Sequence, residues 1–263
     1  MSTNCPNLGK FGKDRLEKYV FPYVRGVDGT QTRLRYGSDF NALEIDERRV
    51  LIVSTDPLAI SPQLGWERSG RLALHVISTD VAVSGITPSH IVTNWNLPTE
   101  TTDENFESLW QGFADEADRS GIKIAGGHTG KYESCRFPMV GAATAFGIGE
   151  KEELIPGTFS PGDRLVLLNR LGLEAAAIFA FYYPEKLSRD IPEAVSNEIK
   201  REFDRLQPTR DLTVLSSLPG INVLHDVAEG GLMGGLQEIL ADSEFGAKID
   251  SDKIDIAPEV SRI

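Results

Sequence analysis

The chain has 263 residues, 40% of them hydrophobic and 25% charged, enough to build a globular core in one large domain or two. A formal net charge of -12 leaves no general basic surface, which argues against nucleic acid as the main partner, and no apolar run reaches the length of a membrane span. Two cysteines, Cys5 and Cys135, supply neither a disulfide framework nor a thiolate metal cluster and fit a reducing, cytoplasmic setting, while Met1 to Arg25 lacks the apolar core of a signal peptide.

The first informative stretch, Asn7-Leu8-Gly9-Lys10-Phe11-Gly12-Lys13-Asp14, sets two glycines and two lysines ahead of an amphipathic turn over Leu16 to Val20. Glycine lets backbone approach an anion and lysine supplies a point charge, so Lys10 and Lys13 are candidates to fold over phosphates. A frayed terminus reads equally well, because the G-K-S/T ending of a P-loop is missing. Tyr36-Gly37-Ser38-Asp39 follows, and then Arg49 to Val53, a short apolar run that reads as a buried strand with Asp56 at its exit.

Arg71 to Pro88 is apolar on every side of a helical wheel, too long for a usual strand, and closed by Gly85 and Pro88, so it reads as a buried helix. Asp80 stands inside it. An ionised carboxylate in an apolar interior either neutralises itself or finds a cation, and a bound metal is the cheapest cation to supply. The triplet Ser54-Thr55-Asp56 recurs as Ser78-Thr79-Asp80, and Asp39 follows Gly37-Ser38. Any one Asp after Ser is usually a cap or turn residue. Three together suit magnesium, which takes a few carboxylates and completes its shell with water and substrate phosphates.

Ser89 to Pro98 has part of a period-two pattern and reads as a strand. Thr101 to Glu104 forms a capping box, opening a helix whose Phe106, Leu109, Trp110, Phe113 and Ala117 fall at helical spacing until Gly121. Ile122 to Ala125 then runs as a strand into Gly126-Gly127-His128-Thr129-Gly130, a glycine-rich turn whose amides suit an anion, and Met139 to Ile148 is a further strand. Pro156, Gly157 and Pro161 mark a linker, so the chain divides into domains 1–156 and 157–263. The second carries a strand over Arg164 to Leu168 and helices over Leu173 to Phe181, around Ala194 to Leu206 and from Thr209. A turn and short strand in Leu218 to Leu224 delivers His225-Asp226 to a helix that opens at Gly230-Gly231, a sound anion site.

Five stretches in this order carry a family likeness: Gly37 to Leu43, Ser54 to Asp56, the Asp80 helix ending Ser84-Gly85-Ile86-Thr87-Pro88, Gly126 to Thr129, and His225-Asp226 through Gly230-Gly231-Leu232, with Pro161-Gly162-Asp163 besides. They resemble the superfamily of aminoimidazole ribonucleotide (AIR) synthetase, selenophosphate synthetase, thiamine-monophosphate kinase and the hydrogenase-maturation carbamoyl dehydratase, nearest in flavour to the last. The resemblance implies an α+β, two-domain AIR-synthase-like fold. Its first domain has a mixed sheet that pairs with its twin into a dimeric barrel; its second is an α/β sandwich that is C-terminally shortened, since the chain stops soon after Ala247-Lys248-Ile249.

The same resemblance implies ATP and Mg2+ as cofactors. Asp39, Asp56 and Asp80 stand as magnesium ligands, Asp80 and His128 as catalytic residues, and Lys10, Lys13, Gly126, Gly127, Thr129, Asp226, Gly230 and Gly231 as contacts to nucleotide or substrate. The implied activity is phosphoryl transfer that activates an oxygen of a small or carbamoyl-type substrate, in a homodimer with a maturation protein as partner. The alternatives are a small-molecule kinase like the thiamine-phosphate branch and a catalytically idle dimeric binding protein. The chain departs from the family pattern at three places. Thr79-Asp80 replaces a common Asn-Asp, His128 stands where an acid is common in the kinase branch, and Val260-Ser261-Arg262-Ile263 replaces the terminal cysteine that carries the carbamoyl group.

Overall fold

The computed structural model describes residues 9–24, 36–189, 191–241, 243–256 and 260–262. The elements are α1 (Lys13–Tyr19), β1 (Asn41–Glu44), β2 (Arg49–Ala59), α2 (Trp66–Ala82), β3 (His90–Leu97), α3 (Asp103–Arg119), β4 (Lys123–Lys131), β5 (Met139–Glu150), α4 (Leu173–Tyr182), α5 (Pro184–Leu187), α6 (Glu193–Arg205), α7 (Pro208–Ser216) and α8 (Gly231–Leu240). All five strands form one mixed sheet in the order β1-β2-β5-β3-β4, antiparallel except for β3 with β4, which α3 joins as a crossover.

Strand alternation decides which face is covered. In β2 the even-numbered side chains Val50, Ile52, Ser54 and Leu58 are buried and Thr55 is exposed, and in β3 Ile91, Thr93, Trp95 and Leu97 share the buried face. On that face lie α2 and α3, and fully buried Ile52, Leu74, Ile77, Trp95, Leu109 and Phe113 make the core. Each such side chain contributes roughly 1.5–3 kcal/mol by leaving water. Trp95 adds edge-to-face contacts with Phe106, Trp110 and Phe113 at 6.5, 5.9 and 5.5 Å. The opposite face has no element over it among the described residues. There Thr55 Oγ1 meets Thr144 Oγ1 at 2.7 Å, His90 stacks on Phe146, and Met139 and Ile148 are more than half exposed.

The apolar circumference of α2 is accounted for, because the sheet, α3 and α7 each take part of it. Its crossing with α3 is close: a Cβ on Gly70 would run into the Leu109 carbonyl, and one on Gly112 into the Glu67 carbonyl. One buried polar group marks this crossing. Glu116, with no exposed side-chain surface, faces His75 Nε2 at 3.3 Å, Arg119 at 3.0 Å and Arg71 at 3.9 Å. The other ring nitrogen of His75 lies 2.9 Å from Thr209 Oγ1 on α7, which also shares a 2.7 Å hydrogen bond with Ser78. A buried carboxylate needs such partners to offset its lost hydration.

Several expected elements differ in the structure. β2 continues to Ala59, so Asp56 lies inside the strand and not at its exit; Pro57 is accommodated where the register with β5 shifts. The glycine-rich turn is not a turn, because Gly126 to Gly130 continue β4 beside β3, with Ala125 bulged out of the register and Gly126 at φ +147°. The helix cap of α3 is Thr102, which accepts from the Asn105 amide at 3.2 Å, one residue beyond the expected Thr101. Neither Arg164–Leu168 nor Leu218–Leu224 forms a strand: Val166 is 85% exposed, and the only bridge among the described residues of this half joins Leu171 to Ile256. An apolar run without a neighbour to complete its ladder stays irregular. The helices of this half form as expected, and Leu173, Ala176, Ala177, Ala180, Ile199 and Phe203 make its small core. Among the described residues no helix is long and apolar enough to cross a membrane.

Candidate functional site

Asp80 lies in the last turn of α2, 6% exposed, and accepts a 2.7 Å hydrogen bond from Ser54 Oγ of β2. Two residues further along the same face of β2, Asp56 lies beside Asp80. Asp39 arrives from the loop before β1, where Ser38 Oγ donates to the Phe40 carbonyl at 2.7 Å. Gly37 makes that loop possible: its φ is +77°, and a Cβ there would meet Cβ of Glu238 on α8 at 2.8 Å. The loop before α8 supplies His225 and Asp226. His225 Nδ1 stands 3.3 Å from Asp39 Oδ2 and 3.4 Å from Asp226 Oδ1, and His225 Nε2 stands 3.2 Å from Glu238 Oε2.

Four aspartates thus face one another with few cations between them. Burial, then repulsion from Asp56, Asp226 and Asp39, pushes the Asp80 carboxyl up to about 9, against the opposing Ser54 hydroxyl. Burial likewise raises Asp39 to about 7, with His225 and Lys10 opposing and Asp226 and Glu238 adding, and it raises Asp56. Burial works to lower His225, but the Asp226, Asp39 and Glu238 carboxylates outweigh it and the net shift is upward. Without a bound cation such a cluster holds protons in place of metal. Carboxylate oxygens are the donors that hard divalent cations prefer, so the residues fit magnesium.

The other expected site residues fall into two groups. Lys10 and Lys13 lie across α8: the Lys10 amide donates to Glu229 at 3.1 Å, Lys10 Nζ to Glu238 Oε1 at 2.8 Å, and Lys13 Nζ to the Ala241 carbonyl at 3.3 Å. Gly230 and Gly231 both have positive φ at the start of α8, and a Cβ on Gly231 would meet nothing within 4 Å, so this helix start opens on free space. Gly126, Gly127, His128 and Thr129 are elsewhere, on the edge strand β4. Gly127 shares a cross-strand row with Asp56 through Thr93 and Ala143, three strand spacings or roughly 14 Å away. His128 shares its row with Asn94, on the uncovered face, and its Nε2 meets Tyr132 Oη at 2.6 Å. The chain does not bring His128 to the carboxylates. Conversely, His225 and Glu238 stand in the site without having been expected there. Their signal was faint: a histidine beside Asp226, and one glutamate on the α8 face.

The model of the AIR synthase related protein N-terminal domain matches residues 37–150, and that of its C-terminal domain matches residues 160–262. The chain belongs to the AIR synthase related family. Within this family it is 28% identical over 233 residues to the carbamoyl dehydratase HypE of Cupriavidus necator, covering 86% of this chain and 63% of that protein. It is 27% identical over 236 residues to the selenide, water dikinase of Dechloromonas aromatica, covering 88% of this chain and 62% of that protein. The chain therefore spans a little under two thirds of these relatives. Among solved structures, a chain of a HypE-HypF complex superposes with a TM-score of 0.66 at 20% identity, over 94% of this chain and 76% of that one. AaThiL complexed with AMPPCP and TMP superposes at 0.64 and 19% identity, over 85% and 70%. At those identities the likeness is one of fold.

Proposed function

We propose that this AIR-synthase-related chain is an ATP- and Mg2+-dependent phosphoryl-transfer enzyme that activates an oxygen of a small or carbamoyl-type substrate. One observation carries the reading: Asp39, Asp56 and Asp80 converge beside Asp226 on a spot where burial, with too little positive charge to oppose it, raises the first three carboxyls. Relatives named carbamoyl dehydratase and a solved HypE in complex with ATP support the nucleotide. When bound, magnesium would neutralise the charge of the transferring phosphoryl group. Asp56 and Asp80 would hold that ion with their carboxylate oxygens. Ser54 keeps the Asp80 oxygen aimed at the cluster through its hydroxyl. The open start of α8 at Gly230-Gly231 receives phosphate on its amides; Lys10, whose amide meets Glu229 just before that start, lies beside it, whereas Lys13 sits at the far end of the helix on the Ala241 carbonyl.

The same reading takes in a homodimer through the uncovered sheet face, a protein partner such as the HypE-HypF complex suggests, a cytoplasmic setting and a domain boundary at Gly157. Its test is to incubate the purified protein with Mg2+ and ATP, alone and with a carbamoyl donor or thiamine monophosphate, and to follow ADP. Acceptor-dependent ADP release that Asp80→Asn abolishes is the expected result. No nucleotide binding by calorimetry in the presence of Mg2+ overturns it.

A further inference from the structure

The buried polar cluster where α2 meets α3 and α7 takes no part in the cleft, and its hydrogens can be counted. His75, 3% exposed, is faced by Glu116 of α3, with Arg119 and Arg71 behind that carboxylate, by Ser78 of its own helix through Thr209, and by Thr209 of α7. Thr209 Oγ1 has one hydrogen and two neighbours, His75 Nδ1 at 2.9 Å and Ser78 Oγ at 2.7 Å. Ser78 Oγ in turn lies 2.8 Å from the Leu74 carbonyl, which can only accept. With hydrogens on both ring nitrogens, every oxygen is served in one direction: Nδ1 donates to Thr209, Thr209 to Ser78 and Ser78 to Leu74, while Nε2 turns its hydrogen to Glu116 Oε1, 3.3 Å away. In the neutral ring one link fails. A hydrogen on Nδ1 alone leaves Nε2 bare against a carboxylate; a hydrogen on Nε2 alone turns Thr209 toward Nδ1 and divides the single Ser78 hydrogen between Thr209 and Leu74. Burial works to raise the Glu116 carboxyl, but His75, Arg71 and Arg119 outweigh it and the net shift is downward, so Glu116 stays ionised while the imidazole changes charge.

We propose that His75 is a proton-operated latch between the two halves of the chain: protonated, it locks the Thr209–Ser78 relay in one direction and draws α7 onto α2, and deprotonated, it slackens that contact. A hydrogen bond from a charged donor is roughly twice as strong as a neutral one, which sets the sign. The effect reaches the cleft by packing. Leu212, one turn beyond Thr209 on α7, packs with Ala82 and Val83 at the end of α2, and Phe40 and Leu224 close that cluster. Phe40 adjoins Asp39 and Leu224 adjoins His225 in the chain, so the latch sets how firmly the two loops carrying those residues are seated. α6 lies outside the latch. It is tied to α2 without a histidine, through Arg68 with Asp204 at 2.7 and 3.0 Å and through Arg71 with the Phe203 carbonyl at 3.0 Å. The inference rests on the α2–α7 contact and not on which ligand the cleft serves.

The test is hydrogen exchange of the full, metal-free chain, labelled at stepped pH from about 8 to about 5.5, where histidines change charge, and corrected for intrinsic rates. Protection of the α7 amides should rise about 5-fold or more toward low pH, with α6 level. His75→Gln, which keeps a donor and an acceptor but does not titrate, should remove the rise. Thr209→Val, which keeps the shape without the hydroxyl, should remove it too, and Thr209→Ser should keep it. The cleft carboxyls also change charge in this range, but they remain in His75→Gln, so what that variant loses belongs to His75. Nitrogen-15 NMR of the parent gives a reading that needs no variant to fold: the assigned His75 ring should pass from hydrogens on both nitrogens to one on Nε2 alone as pH rises. A ring that holds one state throughout, a parent with no rise in α7 protection, or a rise that survives His75→Gln overturns the proposal.

Discussion

Asp80 concentrates the electrostatics of the molecule, and its replacement separates ligand from structural carboxylate. If cations balance the cluster, Asp80→Asn relieves repulsion, so the metal-free variant should melt at or above the parent temperature while losing most of the stabilisation that Mg-ATP confers. A structural Asp80 paired with a buried cation would instead cost on the order of 3–5 kcal/mol. Melting curves with and without Mg-ATP decide between them. The pH dependence follows from the same groups. Asp80 is raised from 3.8 to about 9 and Asp39 from 3.8 to about 7, so the folded chain keeps protons that the unfolded chain releases. The metal-free protein should therefore lose stability as pH climbs from 4 toward 9, the reverse of a salt-bridged carboxylate, and urea midpoints at stepped pH should show that slope flattening in Mg2+. The gathering of Asp39, Asp56 and Asp80 was legible from the repeated Ser-Thr-Asp triplet and from the implausibility of a lone acid in an apolar helix. The His225–Glu238 contact was not, because it depends on how α8 closes against the Gly37 loop.

At the scale of elements, the α2–α3 crossing tolerates no side chain at Gly112, where the obstacle is the backbone carbonyl of Glu67 and cannot rotate away. Gly112→Ala should cost about 1–3 kcal/mol by overpacking, read as a lower urea midpoint with unchanged slope. A change within about 0.5 kcal/mol would mean that the helices are not this close. Gly127 behaves likewise, since a Cβ would run into the Thr93 carbonyl; Gly127→Val therefore disturbs the β3–β4 contact whether or not an anion binds there. Composition does not separate a turn from a strand at Gly126 to Gly130, because glycine serves turns and tight strand contacts alike. Only the neighbouring strand distinguishes the two. The longer helices were legible, since their periodicity is local, but the short α5 was not, and the apolar run at Arg164–Leu168 lacked the partner that would have made it a strand.

For the whole molecule, the sheet face bearing Thr55, Thr144, Phe146 and Ile148 sets the prediction of assembly. Light scattering at micromolar concentration should give twice the 28.8 kDa chain mass, and Thr144→Arg, placing a charge at the centre of that face, should return it to one. A monomeric parent would remove the paired-sheet arrangement. The buried contact of His75 with Thr209 has a mechanical consequence. α2 backs the first-domain sheet and, through Thr209, also bears on the half of the chain that carries His225 and Asp226. That contact stands beside the Arg68–Asp204 ion pair and the Arg71 hydrogen bond to the Phe203 carbonyl, so the two halves are tied at several points along α2. A change that loosens Thr209 would therefore be felt both in the first-domain core and in the half that carries His225 and Asp226.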